Sequence, residues 1–215
     1  MPFTFSHPAI VLPFCNSKSA RLSLTGLVIG SIVPDFEFLI RLRETACFGH
    51  TLIGIIVFDM PFAILLSFVF HSLIRDTLIQ NLPKFLRQRF STFVSFNWLN
   101  YFKRNKRKFF LSVLIGILSH IFLDAFTHYD GAVASRHRFF FNEIVIMKHS
   151  FPIYLILQIT TSLLGGLYIC QVIFKMKQGS DLRGTNISFW YWLNFMLVAI
   201  AILAVRLLFD RVFLK

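Results

Sequence analysis

The feature that most limits how this chain can fold is a series of long apolar runs separated by short polar segments. Four of them stand out: about 51–74 (TLIGIIVFDMPFAILLSFVFHSLI), 109–127 (FFLSVLIGILSHIFLDAFT), 151–174 (FPIYLILQITTSLLGGLYICQVIF) and 188–209 (SFWYWLNFMLVAIAILAVRLLF). Each approaches or exceeds the roughly 20 residues needed to cross a bilayer's hydrocarbon. Lipid offers no partner to a free backbone amide, so each is expected to be a helix. Composition agrees. The 215 residues are 56% hydrophobic with 28 Phe, and only 15% are charged, which is too apolar for a soluble domain and too patterned for disorder. The expected fold class is all-α: a polytopic transmembrane helical bundle, forming one integral-membrane domain over 1–215. It has four clear spans plus an N-terminal hairpin or a fifth span.

The first fifty residues allow both of those N-terminal arrangements. Ala9–Phe14 is apolar but bounded by Pro8 and interrupted by Pro13. Leu22–Val33 is apolar and runs into Pro34-Asp35-Phe36-Glu37, and the polar Asn16–Arg21 lies between the two stretches. Neither stretch alone reaches spanning length. One reading is a single imperfect span over about 22–40. The other, which we favour, is a hairpin buried against the remaining helices, where protein can cover non-helical backbone. The start MPFTFSHPAIVLPFCN has no basic residues and two prolines in its apolar part, unlike a secretory signal.

Charge orients the spans. The formal net charge is +12, and most of the excess lies between apolar runs. Segment 75–108 carries Arg75, Lys84, Arg87, Arg89, Lys103, Arg104, Lys106, Arg107 and Lys108 against Asp76 alone. It is expected on the cytoplasmic side, together with the loop 175–187 containing Lys175, Lys177 and Arg183. Residues 128–150 then lie outside. The mixture of basic and aromatic residues within 75–108 reads as an amphipathic helix on the inner leaflet. The expected partner is therefore the lipid bilayer, not nucleic acid. No protein partner is indicated. The three cysteines, Cys15, Cys47 and Cys170, are scattered. They form neither a disulfide framework nor a thiolate zinc motif.

Ionisable groups inside apolar runs are costly and point to function. The stretch LSHIFLDAFTHYDG, residues 118–131, sets His120, Asp124 and His128 four residues apart. That spacing places His120 and Asp124 on one helix face, with His128 on the same face if the helix continues. Imidazole and carboxylate together suit zinc, manganese or iron. Asp35 and Glu37 follow Pro34 and would point the same way if the chain there is extended. His50 opens the run 51–74. Under the assigned topology these groups, with His7 in the hairpin arrangement, gather at one depth. Asp59 lies nine residues beyond His50, about 13 Å along a straight helix. Asp59 and His71 are read as structural, and His137 and His149 as surface residues. Motifs of a P-loop ATPase, a G-x-S-x-G hydrolase or an H-E-x-x-H protease are absent.

The order of four stretches, MPFTFSHPAIVLP, LTGLVIGSIVPDFEF, GHTLIGIIVFDMP and LIGILSHIFLDAFTHYDG, resembles an uncharacterised bacterial membrane family. It is a domain of unknown function opening with Met-Pro-Phe-Thr and an early His-Pro. The resemblance covers about 1–175, and the run 188–209 is an additional C-terminal span outside it. More distantly, the pattern is similar to the predicted inner-membrane metal-dependent hydrolases. That resemblance implies His7, Asp35, His50, His120 and Asp124 as ligands or catalytic groups. The wider group has a histidine at each end of its central motif, whereas Thr45-Ala46-Cys47-Phe48-Gly49-His50 keeps only the second.

The expectation is a membrane-embedded metal-dependent hydrolase of the bacterial inner membrane. It would act at the outer face on a lipidic or amphiphilic substrate, with a phosphate ester as the leading class. A divalent metal, zinc first among candidates, would be held by His7, His50, His120, Asp124 and His128. Asp35 and Glu37 would handle protons. Two other classes compete. An ion- or proton-coupled transporter would use the same groups as a relay. A structural membrane protein would use them to fix helix packing.

Overall fold

The computed structural model describes residues 3–15, 21–41, 48–179 and 187–213. Expectations for Asn16–Ala20, Thr45-Ala46-Cys47 and Arg183 fall outside them. Helices dominate: α1 (Pro8–Val11), α2 (Leu24–Gly30), α3 (Phe36–Arg41), α4 (the helical run Leu52–Gln80), α5 (Lys84–Phe90), α6 (Trp98–Thr127), α7 (Ile153–Lys175) and α8 (Phe189–Phe213). Strands β1 (Glu143–Ile146) and β2 (His149–Pro152) form an antiparallel hairpin between α6 and α7. Among the described residues α4, α6 and α7 are long and apolar enough to cross a membrane, while the described apolar part of α8, Phe189–Val205, is shorter.

The chain divides into two compact units, one of residues 1–73 and 97–176, the other of 74–96 and 177–215. In the second unit, Arg75 donates to Asp76 at 2.6 Å and to the Phe96 carbonyl at 2.8 Å. Trp192 Nε1 donates to the Asn81 carbonyl at 3.0 Å. In the first unit the core is built from Ile29, Val33, Ile55, Ala63, Trp98, Phe109, Val113 and Ile117.

Close packing of α2 on α6 organises that unit. Ser23 caps α2 by accepting from the Gly26 amide, and its own amide donates to Ser112 Oγ at 2.7 Å. The contact uses glycine on both helices. A Cβ on Gly26 would lie 2.8 Å from the Phe109 carbonyl oxygen, one on Gly30 would run into the Val113 carbonyl, and one on Gly116 would lie 2.7 Å from the Ser31 amide nitrogen. Close approach through small residues brings the two backbones into van der Waals contact and supplies the packing attraction.

Of the two N-terminal arrangements, the less favoured single span over 22–40 does not form one continuous helix: α2 ends at Gly30, and a 3-10 turn at Val33–Asp35 leads into α3. Pro34 is the cause, because a proline early in a helical turn starts a new one instead of extending the last. Several other segments differ from the sequence expectation. The helix expected at 109–127 starts at Trp98, capped by Asn97, and so includes the basic run Lys103–Lys108, with a non-helical residue at Asn105. In α4, Ile55–Asp59 and Phe70–Ile74 are π-helical. The first of these lies just before Pro61, which has no amide hydrogen to donate, and there Met60 N–H reaches back to the Ile55 carbonyl. The β-hairpin Glu143–Pro152, which runs from the expected loop 128–150 into the start of the expected span 151–174, was not anticipated. Its two turn residues, Met147 and Lys148, have positive φ of 48° and 70°, as a tight two-residue hairpin requires.

The α2–α6 contact makes a prediction of sign. Alanine normally stabilises a helix by up to about 1 kcal/mol relative to glycine. Gly30→Ala should instead lower the melting temperature in detergent, because overpacking of this kind costs about 1–3 kcal/mol. Gly166→Ala, where a Cβ meets nothing within 4 Å, should leave it unchanged or raise it.

Candidate metal centre

Asp124 is the hub of the site. It sits one turn after His120 on the buried face of α6, and His120 is completely buried. One carboxylate oxygen, Oδ2, lies 3.2 Å from His120 Nε2 and 3.4 Å from His50 Nε2. The other, Oδ1, lies 3.2 Å from His7 Nε2 and 3.3 Å from His128 Nδ1. Four imidazoles from four parts of the chain thus surround one carboxylate.

Each imidazole arrives by a different local route. His7 occupies the turn just before Pro8, which opens α1. His50 ends a 3-10 turn, Phe48–His50, just before Thr51 caps α4 by accepting from the Gly54 amide at 2.9 Å. That turn folds back on the start of α4, and Gly54 admits the Phe48 carbonyl where a side chain would clash. α6 ends at Thr127, so the helix does not continue through His128, the condition on which a shared face rested. Its extended backbone (φ −115°, ψ 149°) still returns the ring to Asp124. Gln158 of α7 lies 2.9 Å from the other ring nitrogen of His128. Burial pushes the His128 imidazole below its ordinary pKa against the pull of the Asp124 carboxylate.

Asp35 and Glu37 separate, contrary to the expectation for extended chain. The turn at Val33–Asp35 sends Asp35 Oδ1 to 3.3 Å from His120 Nε2, while Thr4 donates to its other oxygen at 2.6 Å. Glu37, on α3, accepts the Gly49 amide hydrogen at 2.8 Å. His71 lies 3.0 Å from Thr25 Oγ1 and stacks on Trp98, in keeping with a structural part. His137 and His149 are exposed.

Asp35, His50, His120 and Asp124 can hold a metal ion: one donor atom from each lies within 4.8 Å of all the others. Two observations favour a shared centre over a set of hydrogen bonds. First, His120 Nε2 and Asp35 Oδ1 are buried and 3.3 Å apart, yet neither makes a hydrogen bond. Second, ligands of a tetrahedral ion at about 2.0–2.1 Å sit about 3.3 Å from one another, close to the separations seen here. The supporting contacts also fit. His120 Nδ1 lies 2.8 Å from the Ser31 carbonyl oxygen, which only an Nδ1–H can satisfy, leaving the Nε2 lone pair for a cation.

Thr4, the Ser31 carbonyl and Gln158 escaped the sequence reading. Gln158 could have been noticed as a polar residue in an apolar run. Thr4 and Ser31 carry no signal, because hydroxyls and carbonyls are ordinary in any segment. Replacing a partner that orients a metal ligand typically weakens metal affinity by about 10–100-fold. Thr4→Val should therefore weaken metal binding at least about tenfold without unfolding the protein, as measured by competition with a chromogenic chelator.

Comparison with known proteins finds no match among curated proteins and none among solved structures. The family model described as Domain of unknown function (DUF4184) matches residues 1–214, and the chain therefore belongs to that family.

Proposed function

We propose that this protein is a membrane-embedded metal-dependent hydrolase acting on an amphiphilic ester, with lipid phosphate esters as the leading class. The observation that carries the reading is the convergence of Asp35, His50, His120 and Asp124 on one centre within a chain of membrane-length apolar helices. Imidazole and carboxylate donors together suit zinc, our choice of metal. When bound, such a cation would lower the pKa of a water it holds and polarise the bond under attack.

The chain's own groups divide the remaining work. Thr4 and the Ser31 carbonyl hold Asp35 and His120 in place. Access is graded: the His120 side chain is 0% exposed, while those of His50 and His128 are 25% and 19% exposed. A substrate would thus enter past His50 and His128 and meet His120 at the bottom. Asp35 is occupied as a donor, which leaves His7 and His128, at the far oxygen of Asp124, as bases within reach of a proton.

The charge distribution supports a topology in which α8 is a fourth span and the basic segment 75–108 faces the cytoplasm of the bacterial inner membrane. The site then opens towards the outer face. A lipid could enter it from the bilayer.

Mass spectrometry of bound metals on the protein purified in detergent should find about one zinc per chain. A His120→Ala, Asp124→Ala variant should contain none. The wild type should hydrolyse a phosphodiester presented in micelles, with no ion gradient, and the variant should fall to background. No bound transition metal in a folded wild type would remove this reading. Activity that needs sealed vesicles would point to a transporter.

A further inference from the structure

Asp59 is unexplained by the centre just described. It is completely buried, and neither of its carboxylate oxygens has a hydrogen-bond partner. Read from the sequence as structural, it nevertheless satisfies no backbone donor. A straight helix would also carry it well away from His50. Instead the Phe48–His50 turn folds back, and a Cβ on Gly49 would lie 2.9 Å from Asp59 Oδ1. The same point is 3.4 Å from the Pro34 carbonyl oxygen and 3.5 Å from Glu37 Oε2.

Three oxygens from two segments, Pro34–Glu37 and α4, therefore converge on the bare face of Gly49. Two belong to buried carboxylates. Glu37 is aimed by the Gly49 amide, which donates to its Oε2 at 2.8 Å. Burying Asp59 without a hydrogen-bond partner is costly enough that a counter-charge or neutralisation is required. An all-oxygen donor set of carboxylates and a backbone carbonyl suits a hard divalent cation such as magnesium or calcium. The nitrogen-rich group around Asp124 suits a softer ion.

We propose that Asp59, Glu37 and the Pro34 carbonyl form a second cation site, specific for a hard divalent ion and separate from the His/Asp centre. Both sites share the strand of chain around Gly49 and His50. An ion at the second would hold that turn against α4 and so position His50. The proposal does not depend on the hydrolase reading, since it concerns binding alone.

Manganese serves as a hard, paramagnetic probe. Chelator-stripped protein reloaded with one equivalent of zinc would be titrated with manganese, and free manganese read by electron paramagnetic resonance. The wild type should bind one manganese per chain. Asp59→Asn should weaken that binding at least about tenfold while retaining its zinc, which also reports a folded first site. Glu37→Gln keeps an acceptor for the Gly49 amide and should weaken manganese in the same way, which settles the matter should Asp59→Asn fail to fold. The His120→Ala, Asp124→Ala variant should lose zinc and keep manganese. Manganese binding unchanged in Asp59→Asn or Glu37→Gln, or absent from the zinc-loaded wild type, would overturn the second site without touching the first.

Discussion

The first unit depends on a single carboxylate. Asp124 touches imidazoles from the N-terminal turn, the turn before α4, its own helix and the residue that ends it. Neutral imidazoles and one carboxylate cannot satisfy each other at every edge, because each neutral ring has one proton to donate. The orphaned Nε2 of His120 shows the shortfall. A cation would resolve it, because nitrogen and oxygen lone pairs can all point at one positive charge. The same arrangement without a cation would hold buried polar groups with too few partners, a costly state in a low-dielectric interior.

The rest of the unit serves to bring these groups together. Glycines on α2 and α6 let the two helices approach closely, and that contact carries the Ser31 carbonyl to His120. Pro34 breaks the apolar stretch just after α2, so Asp35 turns inward instead of continuing along a span. The π-helical turn at Ile55–Asp59 and the folded-back Phe48–His50 turn bring Asp59 and His50 into one neighbourhood. π-Helical turns are frequently associated with functional sites because they shift one residue out of helical register.

Much of the site was legible beforehand for a simple reason. A charged or imidazole side chain in an apolar run is anomalous, and helical periodicity says which anomalies share a face. His120 and Asp124 follow from spacing alone. His7, Asp35 and His50 required the further argument that their segments return to one place, and the structure brings all three to the His120–Asp124 pair. What spacing could not show was direction. Asp35 and Glu37 look equivalent in PDFEF, yet a proline-initiated turn sends one to His120 and the other to the Gly49 amide. Asp59 looked remote because its distance from His50 was measured along a straight helix. The apolar run from Phe109 and the basic helical stretch before it were read as separate elements, and the structure joins them into α6 through the non-helical residue Asn105.

By itself the sequence determined which segments are long and apolar enough to cross a membrane and which polar donors they carry. Apolar runs of spanning length demand helices in lipid, and the few ionisable residues within them name the donors. Only the tertiary structure decided which donors meet. Convergence depends on turns at Pro34, Phe48–His50 and the end of α6, where a few backbone dihedrals redirect side chains by several ångströms. Such turns are selected by packing between segments far apart in sequence, above all α2 against α6, and no local pattern encodes that contact.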